Sequence, residues 1–163
     1  MVEIRTQGLW YEEFTEGTAL TSRGRTITEA DIVSFAGLTG DYNPMHTDAQ
    51  YMKNHQFGAR VAHGALTFSY AVGLLYQLNV LDGTIIAFTD FEMKLRQPVF
   101  IGDTIHVTAT VKGRRDMPTA GGGMITLDVK ILNQDDKIVE KGEWTMLVRS
   151  RPVETPAGES KAE

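Results

Sequence analysis

Gly64-Ala65-Leu66-Thr67-Phe68-Ser69-Tyr70-Ala71-Val72-Gly73-Leu74-Leu75-Tyr76-Gln77-Leu78-Asn79 is the stretch whose reading decides the fold. Wound at about 3.6 residues per turn, it is apolar on nearly every side, the mark of a helix buried at the centre of a domain. Thr67, Ser69, Gln77 and Asn79 interrupt the apolar run from Ala65 to Val80, which is also shorter than the ~20 residues that a bilayer span requires. The reading is therefore a core helix and no transmembrane segment.

Downstream of this helix the period changes to two. Phe91, Met93 and Leu95 alternate with Glu92, Lys94 and Arg96, and Ile105, Val107, Ala109 and Val111 alternate with Thr104, His106, Thr108 and Thr110. The same alternation runs through Ile125, Leu127, Val129 and Ile131, and through Trp144, Met146 and Val148 against Lys141, Glu143, Thr145 and Arg149. Each run reads as a strand with one buried face. Pro98 to Asp103, Asp116 to Gly123 and Asn133 to Lys137 separate the runs and are rich in turn formers, which predicts that consecutive strands pair as an antiparallel meander. The fold class is α+β: one long helix gripped by a curved antiparallel sheet.

Upstream, residues 18–27 read as an early strand weakened by Gly24. A helix follows, because Thr28 and Asp31 form a capping-box-like pair ahead of Ile32, Val33, Phe35 and Leu38, with Gly37 and Gly40 ending it. Asp41 to about Ala62 reads as a structured loop with one short helical patch, Asp48 to Asn54. Pro, Gly, Ser and charges beyond Pro152 predict a mobile tail. The organisation expected is one domain over residues 1–150 and a flexible tail over 151–163, without internal repeats.

Composition agrees with one domain. A chain of 163 residues with 42% hydrophobic content buries one core and is too short for two ordinary domains. A charged fraction of 23% and a net charge of -5, with no basic block, argue against nucleic acid as a partner. Zero cysteines exclude disulfides, thiolate metal sites and a cysteine nucleophile, and fit a reducing compartment. The first residues, Met-Val-Glu-Ile-Arg-Thr-Gln-Gly, lack the apolar run of a signal peptide, so a cytoplasmic location is expected.

The densest chemical run is Gly40-Asp41-Tyr42-Asn43-Pro44-Met45-His46. Pro44 fixes its own φ and pushes Asn43 toward extended geometry, so a stiffened loop can hold Asp41 and His46 at one site. A carboxylate and an imidazole held together make a usable acid and base pair near neutral pH; the alternative is that they make only turn hydrogen bonds. His63-Gly64 stands immediately before the long helix, where the first N–H groups lack intrahelical partners and the helix dipole is positive. Such a terminus can hold a developing oxyanion, and Gly64 has no side chain to block a substrate carbonyl; alternatively Gly64 merely permits tight packing. His46, Asp48, His55 and His63 offer imidazole and carboxylate donors, but their irregular spacing makes a poor metal set, and none is expected.

Asp-x-Asn-Pro-x-His followed by Ala-His-Gly at the head of a long helix resembles the MaoC-like dehydratases and R-specific enoyl-CoA hydratases of the hotdog fold. The resemblance covers roughly residues 9 to 150, with further similarity in Phe35-Ala36, Phe57-Gly58, Arg96-Gln97-Pro98-Val99 and Gly102-Asp103-Thr104. It implies a single hotdog domain and reversible hydration of a 2-enoyl thioester to an (R)-3-hydroxyacyl thioester, without a cofactor. Asp41 and His46 match the catalytic pair that holds the water, and Asn43 matches the residue supporting that loop. Gly64 matches the glycine whose N–H meets the thioester oxygen, and His63 a positioning neighbour on the substrate side. One departure stands out: some members carry a serine near the thioester at the position of Val72, and Ser69 is the nearest hydroxyl here.

The acyl carrier implied is coenzyme A or acyl carrier protein, with Lys94, Arg96, Lys112, Arg114 and Arg115 as candidate cations for it. Tyr42, Met45, Phe57, Phe68, Val72 and Tyr76 are candidates for setting pocket depth. An open sheet edge is usually covered, and family members pair, so a homodimer or larger homo-oligomer is expected. The alternatives are a hotdog thioesterase, which attacks the carbonyl itself, and a non-catalytic thioester-binding subunit.

Overall fold

The computed structural model describes residues 6–153. The chain runs through β1 (Ala19–Thr21), β2 (Arg25–Thr26), α1 (Glu29–Thr39), α2 (Pro44–Thr47), α3 (Ala49–Met52), α4 (Gly64–Tyr76), β3 (Ile85–Leu95), β4 (Thr104–Met117), β5 (Gly122–Leu132) and β6 (Ile138–Arg149). Short 3-10 turns lie at Tyr11–Glu13 and Pro118–Ala120.

The expected early strand is two strands. Both pair with β4, and between them the chain folds so that Ser22 N–H donates to the Val107 carbonyl while the Ser22 hydroxyl accepts from Val107 N–H. The expected capping box closes at the start of α1: Thr28 Oγ1 accepts from Asp31 N–H, and Thr28 N–H donates to the Asp31 carboxylate at 2.7 Å. Gly37 lies inside the helix. Gly40 ends it, with φ 80° in the left-handed region that glycine tolerates without a steric penalty.

The strands form an antiparallel sheet of order β1-β4-β5-β6-β3, with β2 also on β4. β4, β5 and β6 are the expected meander, but β3 pairs with β6 and not with its neighbour in sequence, β4. The reason lies in residues 96–103, which do not turn back as a hairpin. They cross the head of α4, where the Val99 carbonyl accepts from Ala62 N–H and Phe100 bridges to Val61, and so carry the chain from the β3 edge to β4, the strand next to β1 at the far side. Gly142 makes the β3–β6 contact possible, since a Cβ there would overlap the Glu92 carbonyl.

Helix α4 packs Leu66, Ala71, Leu74 and Leu75 against the inner residues of β4, β5 and β6, including Ile105, Val107, Ile125, Leu127, Val129 and Trp144. Each fully buried aliphatic side chain there contributes roughly 1.5–3 kcal/mol. Burial is narrower than the all-round apolar helix implied, because Ala65, Ser69 and Tyr76 are exposed. β3 departs in the same direction: Phe91 and Leu95, read as an inner face, are 53% and 65% exposed. Most of the expected tail lies outside the described residues. Arg151 is tied down, its N–H donating to Glu12 and its guanidinium lying 3.4 Å from Glu13. No helix among the described residues is long and apolar enough to cross a membrane.

Candidate active site

The loop after α1 is built from short-range hydrogen bonds that its sequence dictates. Asn43, extended before Pro44, caps α2 by accepting from Met45 N–H, and Pro44 takes the first helical position, where its missing N–H costs nothing. One turn later His46 projects inward and is buried. Its Nδ1 lies 2.7 Å from the Val61 carbonyl, which can only accept. The neutral imidazole therefore carries its hydrogen on Nδ1 and presents a lone pair at Nε2.

That lone pair faces Asp41, whose Oδ2 stands 3.9 Å from His46 Nε2, while Asp41 Oδ1 accepts from Asn43 N–H at 3.2 Å. The carboxylate is half exposed and the imidazole buried. His63, which caps α4 without a side-chain bond to it, is also buried and stacks on His46 with ring centroids 3.7 Å apart. The Phe35 ring is tilted against His63 with centroids 5.1 Å apart. His63 Nε2 donates to the main-chain carbonyl of Asp41 at 3.0 Å, and its buried Nδ1 has no partner among the described residues.

A cavity of about 430 Å³ opens at the head of α4, lined among others by His46, Gly64, Thr67, Leu95, Arg96 and Glu140. The five residues singled out in the sequence thus converge unevenly. His46 and Gly64 line the cavity, Asp41 reaches it through His46, His63 lies behind His46, and the Asn43 side chain is spent on the helix cap. Met45 and Phe57 line it as anticipated, whereas Tyr42 and Tyr76 are exposed, and Phe68 stacks on Phe91 at 4.6 Å. The hydroxyl-bearing helix residue that lines the cavity is Thr67, whose Oγ1 donates back to the His63 carbonyl, and not Ser69, which is exposed and donates back to the Ala65 carbonyl. Of the five candidate cations, only Arg96 lines the cavity; Lys94 and Lys112 pair with Glu92 and Glu143, and Arg114 covers the Tyr11 ring.

Sequence reasoning missed Glu140. It continues the inward-facing series Val148, Met146 and Trp144 at period two, so the strand pattern extended by four residues would have found a carboxyl on the core face. It is 2% exposed, its Oε2 has no hydrogen-bond partner among the described residues, and burial alone pushes its carboxyl up to about 7.

Asp41, His46 and His63 also place three potential ligand atoms within 4.8 Å of one another. His63 Nε2 is spent as a donor to the Asp41 carbonyl and the two stacked imidazole planes are 26° from parallel, so the rings do not turn two lone pairs on one ion. Asp48 and His55 lie apart from this group: Asp48 caps α3, and His55 stacks on Tyr51 and Phe57.

The MaoC like domain model matches residues 12–130. The chain is 33% identical over 142 residues to the (R)-specific enoyl-CoA hydratase of Rhodospirillum rubrum, covering 87% of this chain and 93% of that protein. It is 33% identical over 115 residues to the (R)-specific enoyl-CoA hydratase of Aeromonas caviae, covering 70% of this chain and 81% of that one. The crystal structure of the MaoC-like dehydratase from Rhodospirillum rubrum superposes with a TM-score of 0.81 at 27% identity, over 90% of this chain and all of that one. With its α+β hotdog architecture, its sequence relatives and its structural neighbours in agreement, this chain belongs to the MaoC-like family.

Proposed function

We propose that this protein is a hydro-lyase that adds water reversibly to a 2-enoyl thioester, giving an (R)-3-hydroxyacyl thioester, with Asp41 and His46 as the catalytic pair. The observation that carries the reading is the facing of Asp41 Oδ2 and His46 Nε2 across 3.9 Å beside a cavity that also holds the glycine at the head of α4. A water molecule between them donates one hydrogen to the carboxylate and the other to the imidazole lone pair, leaving its oxygen free to attack the β-carbon. One proton passes to the pair as the C–O bond forms. The electron pair of the double bond moves onto the thioester oxygen, where Gly64 N–H and the uncapped first turn of α4 stabilise the enolate. The proton then returns from the pair to the α-carbon. Reversal of these steps dehydrates the hydroxyacyl thioester, and the coupled pair shares the proton without a fixed owner.

Asn43 and His63 act one step back, Asn43 by orienting the Asp41 carboxylate through its N–H and His63 by holding the Asp41 main chain. Arg96 is the cation placed to meet the carrier, coenzyme A or the acidic face of acyl carrier protein. The (R) outcome rests on the likeness to the two (R)-specific hydratases. We take residues 1–150 as one catalytic domain working as a homodimer.

The test is the loss of enoyl-thioester absorbance with crotonyl-CoA, comparing native protein with folded Asp41→Asn and His46→Gln. Native activity with at least ~100-fold loss in both variants is the expected result. Release of free thiol with the double bond intact would point to a thioesterase, and binding of thioesters without turnover to a non-catalytic subunit.

A further inference from the structure

Glu140 is a carboxyl placed where the fold calls for a hydrocarbon. It shares the inner face of β6 with Trp144, Met146 and Val148, stands opposite Ile131 of β5 and Leu95 of β3, and is 2% exposed. Beside it the ladder is broken. Ile131 pairs with Glu140 and Leu132 with Ile138, so Val139 is an extra, bulged residue whose carbonyl accepts from both Arg96 N–H and Gln97 N–H. The bulge thus ties residues 96–97 of the cavity wall to the strand that carries Glu140. Bulges recur next to active sites, where they redirect the chain.

A buried carboxyl with an unpartnered oxygen is costly, and a methyl-bearing side chain would pack the same position at a gain. The cavity explains its place. Glu140 lines the space that His46, Gly64 and Thr67 line, and its Oε2 has no partner among the described residues. With a carboxyl pushed up to about 7, the group meets its ligand both protonated and ionised near neutral pH. A hydroxyl suits both forms, accepting from the acid and donating to the anion. An ammonium suits only the anion, and plain hydrocarbon suits neither.

We propose that Glu140 is a specificity-determining residue that selects acyl thioesters bearing a hydroxyl beyond the reacting carbons over those with a plain hydrocarbon chain. The inference rests on the hydratase reading for the identity of the thioester, and its test separates the two. Binding of saturated hexanoyl-CoA and of its analogues hydroxylated at the fifth or sixth carbon is measured by calorimetry on native protein, Glu140→Gln and Glu140→Leu. Hydration of the corresponding 2-enoyl thioesters is followed alongside.

Native protein is expected to prefer one hydroxylated analogue by about tenfold, the size of one net hydrogen bond. Glu140→Gln keeps part of that preference through its amide, and Glu140→Leu reverses it in favour of hexanoyl-CoA while melting at a higher temperature. Equal binding of plain and hydroxylated chains by native protein overturns the inference, and turnover of the plain enoyl thioester in that case leaves the hydratase reading standing. A lower melting temperature for Glu140→Leu with unchanged selectivity also overturns it, assigning the carboxyl to packing. A retained preference in binding without any hydration would keep the inference and remove the hydratase reading.

Discussion

His63 donates its Nε2–H to the main-chain carbonyl of Asp41 at 3.0 Å, so a buried imidazole fixes the backbone beneath a half-exposed carboxylate. The same ring stacks on His46, so one residue touches both members of the proposed catalytic pair without lying in the cavity. Its Nδ1 finds no partner among the described residues, and an unpaired buried acceptor costs about 1–3 kcal/mol.

His63→Phe is the discriminating substitution. The phenyl ring keeps contact with Phe35 and His46 and removes the orphan nitrogen, so the melting temperature should stay close to native. The Asp41 carbonyl loses its donor and the loop loosens. Steady-state kinetics should give a kcat lower by about tenfold or more with KM little changed, as for an interaction that matters in the transition state. A native kcat in a folded variant would remove the positioning role.

The motif around Asp41 and His46 was legible because its physics is local: a proline, an Asx cap and a glycine helix end fix that loop within a few residues. The inner faces of β4, β5 and β6 were legible for the same reason, since period two states which side is buried. The pairing of β3 was not. Phe91, Met93 and Leu95 alternate as an inner face should, yet which strand they join depends on residues 96–103 crossing the head of α4, a long-range event with no periodic trace. Glu140 went unseen because a charged residue at a strand end reads as solvated, although the period-two series from Val148 through Trp144 reaches it.

Gly64 has an ordinary backbone conformation, and its need for glycine is spatial. A Cβ there would meet the Leu95 δ-carbons at 2.8 and 2.9 Å. Because the Leu95 side chain is a flexible end on a 65% exposed residue, Gly64→Ala should cost less than about 1 kcal/mol of stability. The displaced leucine tip lines the cavity, however, so kcat/KM for crotonyl-CoA should fall by about tenfold. Leu95→Ala on that background restores the room and should recover most of the loss; a double variant as slow as the single one would place the defect at the Gly64 N–H itself.

Asp31 sets a measurable acid limit on stability. Burial raises its carboxyl, but hydrogen bonds from Tyr70, Thr28 and Arg25 outweigh this and bring it down to about 2, from 3.8. Tyr70 also carries the Arg25 guanidinium over its ring at 3.7 Å, so this cluster joins α1 to α4. The folded value is the depressed one, so the ionised carboxylate stabilises the fold fully above about pH 4, and that contribution is lost as pH falls toward 2. Nearly two pH units correspond to about 2 kcal/mol. Urea unfolding of native protein and Asp31→Asn should differ by about that amount near neutral pH, and the gap should close between about pH 4 and pH 2. A gap independent of pH would mean that shape and not charge is at stake.

β3 ends the sheet, and only its β6 side is paired among the described residues. Register shifts break that pairing between Ile85 and Ala87 and between Phe88 and Asp90, after which Asp90 to Leu95 runs regularly. This regular half carries Phe91 at 53% exposure, stacked on Phe68 of α4, and Leu95 at 65%. A long, regular edge beside exposed aromatic surface is what soluble proteins cover. A second copy related by two-fold symmetry would lay Asp90–Leu95 against its own counterpart, because an isologous contact uses the same patch twice. Sedimentation equilibrium at micromolar concentration should therefore give a dimer. Phe91→Lys, which puts a charge at the centre of that patch, should shift it to monomer with helix content retained by circular dichroism. A native monomer would show that the edge is tolerated open, with the Glu92–Lys94 ion pair as its protection. A dimer insensitive to Phe91→Lys would move the interface to another face.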